Sequence, residues 1–274
     1  MTSPKHIAVV VSTYDKPEYL RLVLNGYQQQ TDNNFVLYIA DDGSGEETRK
    51  LVEESQALFP VPIRHIRHED QGFRKCRIHN RALLEIQEDY IIFTDGDCVP
   101  LPAMVASHRR YAVKGSFLSG GRILLSRTWT DQLCKAGQMP ERVPATGWLK
   151  HRLHGNINRL LPLMLPVSLG RSYARLKGIR GCHLSCWRED VIHVNGFDES
   201  FEGWGREDSD LVARLLHAGI QRRNLRGLPV FHLWHEEESR HRLDTNDDML
   251  GQCLNTKRTR ALKGLDEIPG VDHG

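Results

Sequence analysis

The chain has 274 residues, 39% of them hydrophobic and 26% charged, with a formal net charge of only +2. That length buries a substantial core and fits one large α/β domain or two fused halves, and so even a charge balance gives no reason to invoke nucleic acid. No apolar run reaches the roughly 18 residues of a membrane span, and the opening MTSPKHIAVVVSTY lacks a secretory pattern, so a cytosolic chain is expected.

In chain order, short β-branched runs alternate with helical patterns over the first hundred residues. IAVVVS is followed by a helix after Pro17, FVLYIA by a helix from about Glu46, and IRHI by a helix through Asn80 to Ile86, before YIIF closes the series. Such alternation predicts βαβ units and a mostly parallel sheet with helices on both faces. Ligands of such sheets bind beyond the carboxyl ends of the strands. The residues there are Ser12-Thr13-Tyr14, Asp41-Asp42-Gly43-Ser44 and Thr94-Asp95-Gly96-Asp97.

A further strand is expected between Ser116 and Leu125, after which regularity is lost until about Arg180. Residues 141–180 carry eight Lys or Arg against one acid, around the apolar run LLPLMLPVSL. Pro144, Pro162 and Pro166 argue against one long helix, and the segment reads as an insertion or lid with a basic, apolar face. Beyond it CHLSCW reads as a strand, Glu207 to His217 as a helix ended by Gly219, LPVFHLWH as a late strand, and the chain from about Thr245 as a polar helix and tail. The expected organisation is a first, ligand-binding half at 1–115, a second half at 116–240 that carries the insertion, and a C-terminal helix and tail at 241–274.

Six cysteines, Cys76, Cys98, Cys134, Cys182, Cys186 and Cys253, are spread through a chain of ordinary size and are expected as free thiols. Cys182 and Cys186 flank His183, but no second ligand pair stands at zinc spacing, so structural zinc is not expected.

Four clusters carry chemistry. In Asp95-Gly96-Asp97, residues two apart in an extended segment point the same way, and Gly96 lets backbone approach a ligand. Their hard oxygens suit Mn²⁺ or Mg²⁺ on a diphosphate; a plain Asp-Gly turn is the bland alternative. Asp41-Asp42 stands where an acid reads a ribose or base in other open sheets. In FEGWGREDSD, Gly203 and Gly205 flank Trp204, an aromatic plate suited to a sugar face, and Glu207, Asp208 and Asp210 follow in a first helical turn that favours acids on its own account. In FHLWH, His232 and His235 face opposite sides of an extended segment, so only one is expected to ligate a metal.

VSTYDKPEYL, IADDGS, DQGFRKCRIHNRAL and FTDGDCVP, followed by VNGFDESFEGWGREDSDLVARL and FHLWH, resemble family 2 glycosyltransferases with the GT-A fold. The second block is shared with β-1,4-galactosyltransferases and bacterial chondroitin-polymerase-type domains, and the whole is most similar to bacterial enzymes building lipopolysaccharide or capsule. The resemblance implies that Thr13 and Tyr14 line the nucleotide pocket, Asp42 reads the uracil, and Asp95, Gly96 and Asp97 meet the ribose and metal. Arg74, Lys75 or Arg77 would supply the phosphate contact, since Ile78-His79-Asn80 stands where many relatives have Ala-Arg-Asn; Asn80 keeps the last place of that motif. Asp97 and His232, with His235 as the alternative, would hold Mn²⁺ or Mg²⁺. Asp208 would be the base, Glu207 an acceptor ligand, and Trp204 with Gly205 the sugar platform. His183 stands where relatives have Asn, and Ser209 departs from their Glu-Asp-Asp-Asp. The expected partners are a UDP-sugar, a saccharide or lipid-linked saccharide acceptor, and lipid of the inner membrane through 141–180. A noncatalytic carbohydrate- or membrane-binding protein on the same fold, and a metal nuclease or phosphatase, are the competing readings.

Overall fold

The computed structural model describes residues 3–138, 143–237 and 239–268. The elements run β1 (Ile7–Thr13), α1 (Pro17–Gln28), β2 (Phe35–Asp41), α2 (Glu46–Leu58), β3 (Ile63–Arg67), α3 (Lys75–Glu85), β4 (Tyr90–Asp95), β5 (Cys98–Val99), α4 (Met104–Tyr111), β6 (Ser116–Ser119), β7 (Arg122–Leu124) and α5 (Arg127–Ala136). They continue with α6 (Ala145–Leu153), α7 (Leu161–Met164), β8 (Ser168–Tyr173), a 3-10 turn (Gly181–His183), β9 (Leu184–Trp187), α8 (Arg188–His193), α9 (Glu207–His217), β10 (Gln221–Arg226), β11 (Val230–His232), α10 (Leu243–Thr256) and a second 3-10 turn (Leu265–Glu267).

Eight strands form one sheet in the order β3-β2-β1-β4-β9-β6-β10-β8, and β5-β11-β7 form a small second sheet. The pairs among β3, β2, β1 and β4 are parallel, while β9 runs antiparallel to both β4 and β6. The fold is the expected α/β architecture with a mostly parallel sheet. Its apolar runs are continuous because both faces are covered. Ile7, Val9 and Val11 of β1 enter one core and Ala8 and Val10 the other. Gly26 of α1 permits a close approach to the Pro100 ring, from which a Cβ there would stand 2.8 Å.

The strands and helices of the first hundred residues fall where periodicity predicts them. The Ser116–Leu125 strand is two, β6 and β7, separated by Gly120-Gly121 and assigned to different sheets. Residues 127–173 are more regular than expected: α5, α6 and α7 precede β8, which pairs antiparallel with β10 as an edge strand of the main sheet. Part of the supposed insertion therefore belongs to the sheet, and the two expected halves share it. The prolines act as predicted, with Pro144 capping α6 and Pro162 in the first turn of α7. Glu141 and Arg142 lie outside the described residues. CHLSCW is strand only from Leu184, and the late strand ends at His232. The sequence pattern did not reveal α4, α8 or β10.

Candidate active site

The carboxyl ends of the parallel strands β1 and β4 lie side by side, with Ser12 registered against Asp95. The Ser12 hydroxyl donates to Asp95 Oδ1 at 2.9 Å, and the Gly96 N–H donates to the Ser12 carbonyl at 2.7 Å. A Cβ on Gly96 would stand 3.0 Å from that carbonyl, so the glycine fits a tight approach. The Asp-Gly-Asp turn is thus clamped to β1, and Asp97 is carried toward the second sheet.

There β11 pairs with β5, placing His232 opposite Cys98, and the Leu233 N–H donates to the Asp97 carbonyl at 2.9 Å. His235 Nε2 lies 3.1 Å and His232 Nε2 3.8 Å from Asp97 Oδ2. The alternation that assigned the imidazoles to opposite faces fails because β11 stops at His232. The chain then turns, held by Tyr19 Oη on the Trp234 carbonyl at 2.7 Å and by Thr130 Oγ1 on the Trp234 N–H at 2.9 Å. Each imidazole donates its Nδ1–H to a backbone carbonyl, His232 to Leu233 at 2.9 Å and His235 to Glu236 at 2.7 Å. A carbonyl only accepts, so both rings aim Nε2 at Asp97, the orientation of a ligating histidine. The bond to Asp97 holds His235 above its ordinary pKa, whereas burial takes His232 below it. Burial alone would raise the Asp97 carboxyl, but the two imidazoles outweigh it and hold it well below the usual range. One carboxylate and two imidazoles converging on a point suit a divalent cation such as Mn²⁺.

The carboxylates that open α9 approach the end of β4 through Lys75. Three residues with positive φ within a run of four, Gly203, Gly205 and Arg206, bring the chain into this helix at +70°, +107° and +77°. Asp208 Oδ2 accepts the Gly181 N–H at 2.8 Å, which fixes its position against the 3-10 turn. The Glu207 side chain is only 11% exposed, and its Oε2 has no hydrogen-bond partner among the described residues. Burial, and after it Asp208, push the Glu207 carboxyl up to about 7. A cavity of about 10 Å³ lined by Lys75, His79, Phe197, Glu207 and Asp208 lies behind this pair. Asp210 is the acid that helix formation accounts for: it pairs with the buried Arg214 at 2.7 Å and with Arg258 at 3.0 Å.

Lys75 joins the two halves. Its ammonium is 2.7 Å from Asp95 Oδ1 and 3.9 Å from Glu207 Oε1, and although burial opposes the charge, Asp95 and then Glu207 raise its pKa. Sequence reasoning named Lys75 only as one of three phosphate candidates. Its position at the start of α3, within a run of basic residues, carried no signal that it would face two acids.

The other expected residues are placed as follows. Asp42 is buried, with Oδ1 2.6 Å from His68 Nε2 and Oδ2 accepting the Arg74 N–H at 2.8 Å. Burial raises the Asp42 carboxyl and lowers His68, the directions of a neutral pair. Thr13 is buried at the strand end, while Tyr14 is exposed and donates to Asp70 at 3.0 Å. The Arg74 guanidinium donates to Gln71 and to the Glu69 carbonyl, and Arg77 is exposed. Asn80 is not in the cleft surface: it is fully buried, donating to the Phe197 carbonyl at 2.9 Å and accepting the Phe197 N–H at 2.8 Å. It ties α3 to the loop before α9. Trp204 is 39% exposed, with the Arg240 guanidinium 5.4 Å from its ring centre. His183 is wholly buried, its Nε2 3.0 Å from that of His108 and its Nδ1 donating to the Gly121 carbonyl at 3.1 Å. All six cysteines are free thiols.

Residues 8–129 match the family model described as glycosyl transferase family 2, and residues 166–236 match the one described as N-terminal domain of galactosyltransferase. The chain is 24% identical to chondroitin synthase of Escherichia coli over 242 residues, covering 82% of this chain and 34% of that protein. It therefore spans about a third of the length of that relative. Among solved structures, residues 1–349 of Staphylococcus aureus TarS in complex with UDP superpose with a TM-score of 0.60 at 12% identity, covering 95% of this chain and 68% of that one. The mannosyltransferase PcManGT of Pyrobaculum calidifontis, in complex with GDP-Man and Mn²⁺, gives 0.56 at 16% identity, covering 81% and 55%.

Proposed function

From a chain of family 2 glycosyltransferase sequence with the GT-A fold, we propose a metal-dependent, inverting transfer of a hexose or N-acetylhexosamine from a UDP-sugar to a saccharide acceptor. The setting we propose is bacterial surface polysaccharide, lipopolysaccharide or capsule. The observation that carries the reading is a pair of neighbouring sets, Asp97 with two Nε2-directed imidazoles and Asp208 held by the Gly181 N–H, bridged by Lys75 between Asp95 and Glu207. The solved neighbours that hold UDP, or GDP-Man with Mn²⁺, support a nucleotide-sugar donor and a divalent ion.

Asp97, His232 and His235 would hold the cation, which when bound supplies positive charge opposite a diphosphate leaving group. Asp208 takes the proton of the acceptor hydroxyl as that oxygen attacks the anomeric carbon and the bond to UDP breaks, a role worth about 10²- to 10⁴-fold in rate. Glu207, protonated over part of the neutral range, donates to or accepts from an acceptor hydroxyl. Lys75 holds Asp95 and keeps the two carboxylates of α9 compatible with one another. Trp204 offers its face to the acceptor sugar.

Among the described residues no helix is long and apolar enough to cross a membrane. We place the protein in the cytoplasm, with the α6–β8 surface against the inner leaflet. Leu149, Leu153, Leu161, Met164 and Leu165 are all exposed there, although Leu160, Leu163 and Val167 pack on the core. UDP release from UDP-sugars in the presence of Mn²⁺, followed by the anomeric configuration of the product, tests the reaction. No release and no transfer from any UDP-sugar would leave a binding protein on this fold; a retained configuration would remove the single displacement.

A further inference from the structure

Cys98 follows the Asp-Gly-Asp turn on β5, and Cys182 lies 84 residues later in the 3-10 turn before β9. The fold brings them together: both sulfurs and a carboxylate oxygen of Asp95 lie within 4.8 Å of one another. The thiols are buried, at 0% and 3% exposure, while the Asp95 side chain is 26% exposed and opens the cluster to the cleft. We propose that Cys98, Cys182 and Asp95 form a second metal site, selective for a thiophilic divalent ion such as Zn²⁺ or Cd²⁺ and adjoining the Asp97–histidine set, since Cys98 also lies within ligand distance of Asp97 and His232.

Donor chemistry separates the two sites. Thiolate is a soft ligand that selects zinc-type ions, whereas carboxylate and imidazole accept Mn²⁺. A tetrahedral ion with metal–sulfur bonds of about 2.3 Å holds its sulfurs roughly 3.8 Å apart, so modest side-chain rotation closes this set around one ion. Each thiol releases its proton as it binds, and water from the cleft completes the coordination. The site also touches the chemistry on both sides. Cys98 Sγ donates to Asp97 Oδ1 at 3.2 Å, a bond lost when the sulfur turns to an ion. Asp95 is the partner of Lys75, and Cys182 adjoins Gly181, whose N–H holds Asp208. An ion here clamps the Asp-Gly-Asp turn to the turn that seats Asp208. Neither spacing nor motif announces the pair, because Cys182 stands nearer in sequence to His183 and Cys186, which point elsewhere: Cys186 lies on β9 in the opposite core.

Metal binding by these thiols is independent of the transfer reaction and is tested without sugar. The full chain carrying Cys134→Ser, which removes the half-exposed thiol, is titrated with Cd²⁺ without nucleotide. A thiolate-to-cadmium ultraviolet band saturating at one equivalent is expected, undisturbed by excess Mn²⁺ and retained in Asp97→Ala. Cys98→Ser and Cys182→Ser should each lose the band and weaken binding at least about tenfold, as loss of a ligand does. In the unsubstituted protein, Zn²⁺ should shield Cys98 and Cys182 from alkylation, read peptide by peptide, which covers the case of a serine variant that fails to fold. Absence of the band at stoichiometric Cd²⁺, a band indifferent to both serine variants, or no shielding of these two thiols overturns the site.

Discussion

The Lys75 ammonium stands 2.7 Å from Asp95 Oδ1, joining the first turn of α3 to the end of β4. The pair is mostly removed from water, with 17% and 26% of the side chains exposed, and Glu207 lies 3.9 Å from the same nitrogen. Removing one partner of a buried pair leaves the other charge uncompensated. We expect Lys75→Met to cost about 2–4 kcal/mol in denaturant unfolding, near the lower end of the usual penalty because both groups keep some solvent. The same variant should lower transfer by more than about tenfold, since Asp95 and Glu207 then repel. A variant as stable and active as the parent would show that Lys75 is a bystander.

The cation should be needed, and both histidines should matter. Asp97→Ala, His232→Ala and His235→Ala are each expected to reduce transfer by more than about tenfold, as loss of a ligand does. Mn²⁺ binding to the variants, followed by electron paramagnetic resonance, reads the ligand set directly. Full activity after EDTA treatment would remove the metal from the mechanism, and wild-type Mn²⁺ binding by His235→Ala would return the site to Asp97 and His232.

Asp208→Asn should abolish transfer while UDP affinity stays within about threefold, because the amide keeps the shape and can still accept the Gly181 N–H but cannot take a proton. Calorimetry with UDP and a transfer assay decide it. If most of the rate survives, the base lies elsewhere, with Glu207 next.

Glu207 makes stability depend on pH in a definite direction. Its folded pKa is raised from the ordinary 4.5 to about 7, so between those values the folded chain holds the proton more tightly than the unfolded one. Stability therefore falls as pH rises from about 4.5 to 7, and above 7 the ionised carboxylate remains a buried cost. Glu207→Gln should lose activity yet be stabilised by roughly 1–3 kcal/mol at pH 8, with little gain near pH 5. Thermal unfolding of both proteins at the two pH values checks this; an equal difference at both would mean that Glu207 is not perturbed.

The α6–β8 surface is expected to bind anionic vesicles at low salt. Lys150 and Arg152 of α6, Arg171 of β8, and Arg175 and Lys177 after it are exposed on the same stretch of chain as the exposed apolar side chains of α6 and α7, and each cation near an anionic leaflet contributes about 1 kcal/mol. Flotation should weaken with salt and on replacing Arg171, Arg175, Lys177 and Arg180 with serine. Protein that stays in the soluble fraction at low salt, or floats equally after those replacements, would assign the surface to another partner.

The sheet and its ligand edge were legible in the sequence because β1, β2 and β4 are covered on both faces, and double burial writes continuous apolar runs ended by polar residues. The Asp-Gly-Asp turn and the acids opening α9 were legible for a different reason, since spacing within one element is a local property. Residues 127–173 were not, because α6 and α7 are short and only partly buried, and β8 is an edge strand with three exposed or half-exposed residues in succession from Arg171 to Tyr173. Asn80 read as a ligand and is a buried tie to Phe197; His232 and His235 read as alternatives and converge because β11 ends between them. Lys75 against Asp95 and Glu207, Gly181 under Asp208, and Cys98 beside Cys182 join residues 20 to 132 positions apart. Such pairings follow from strand order and register, β4 against β9 and β5 against β11, which no periodicity within a single segment encodes.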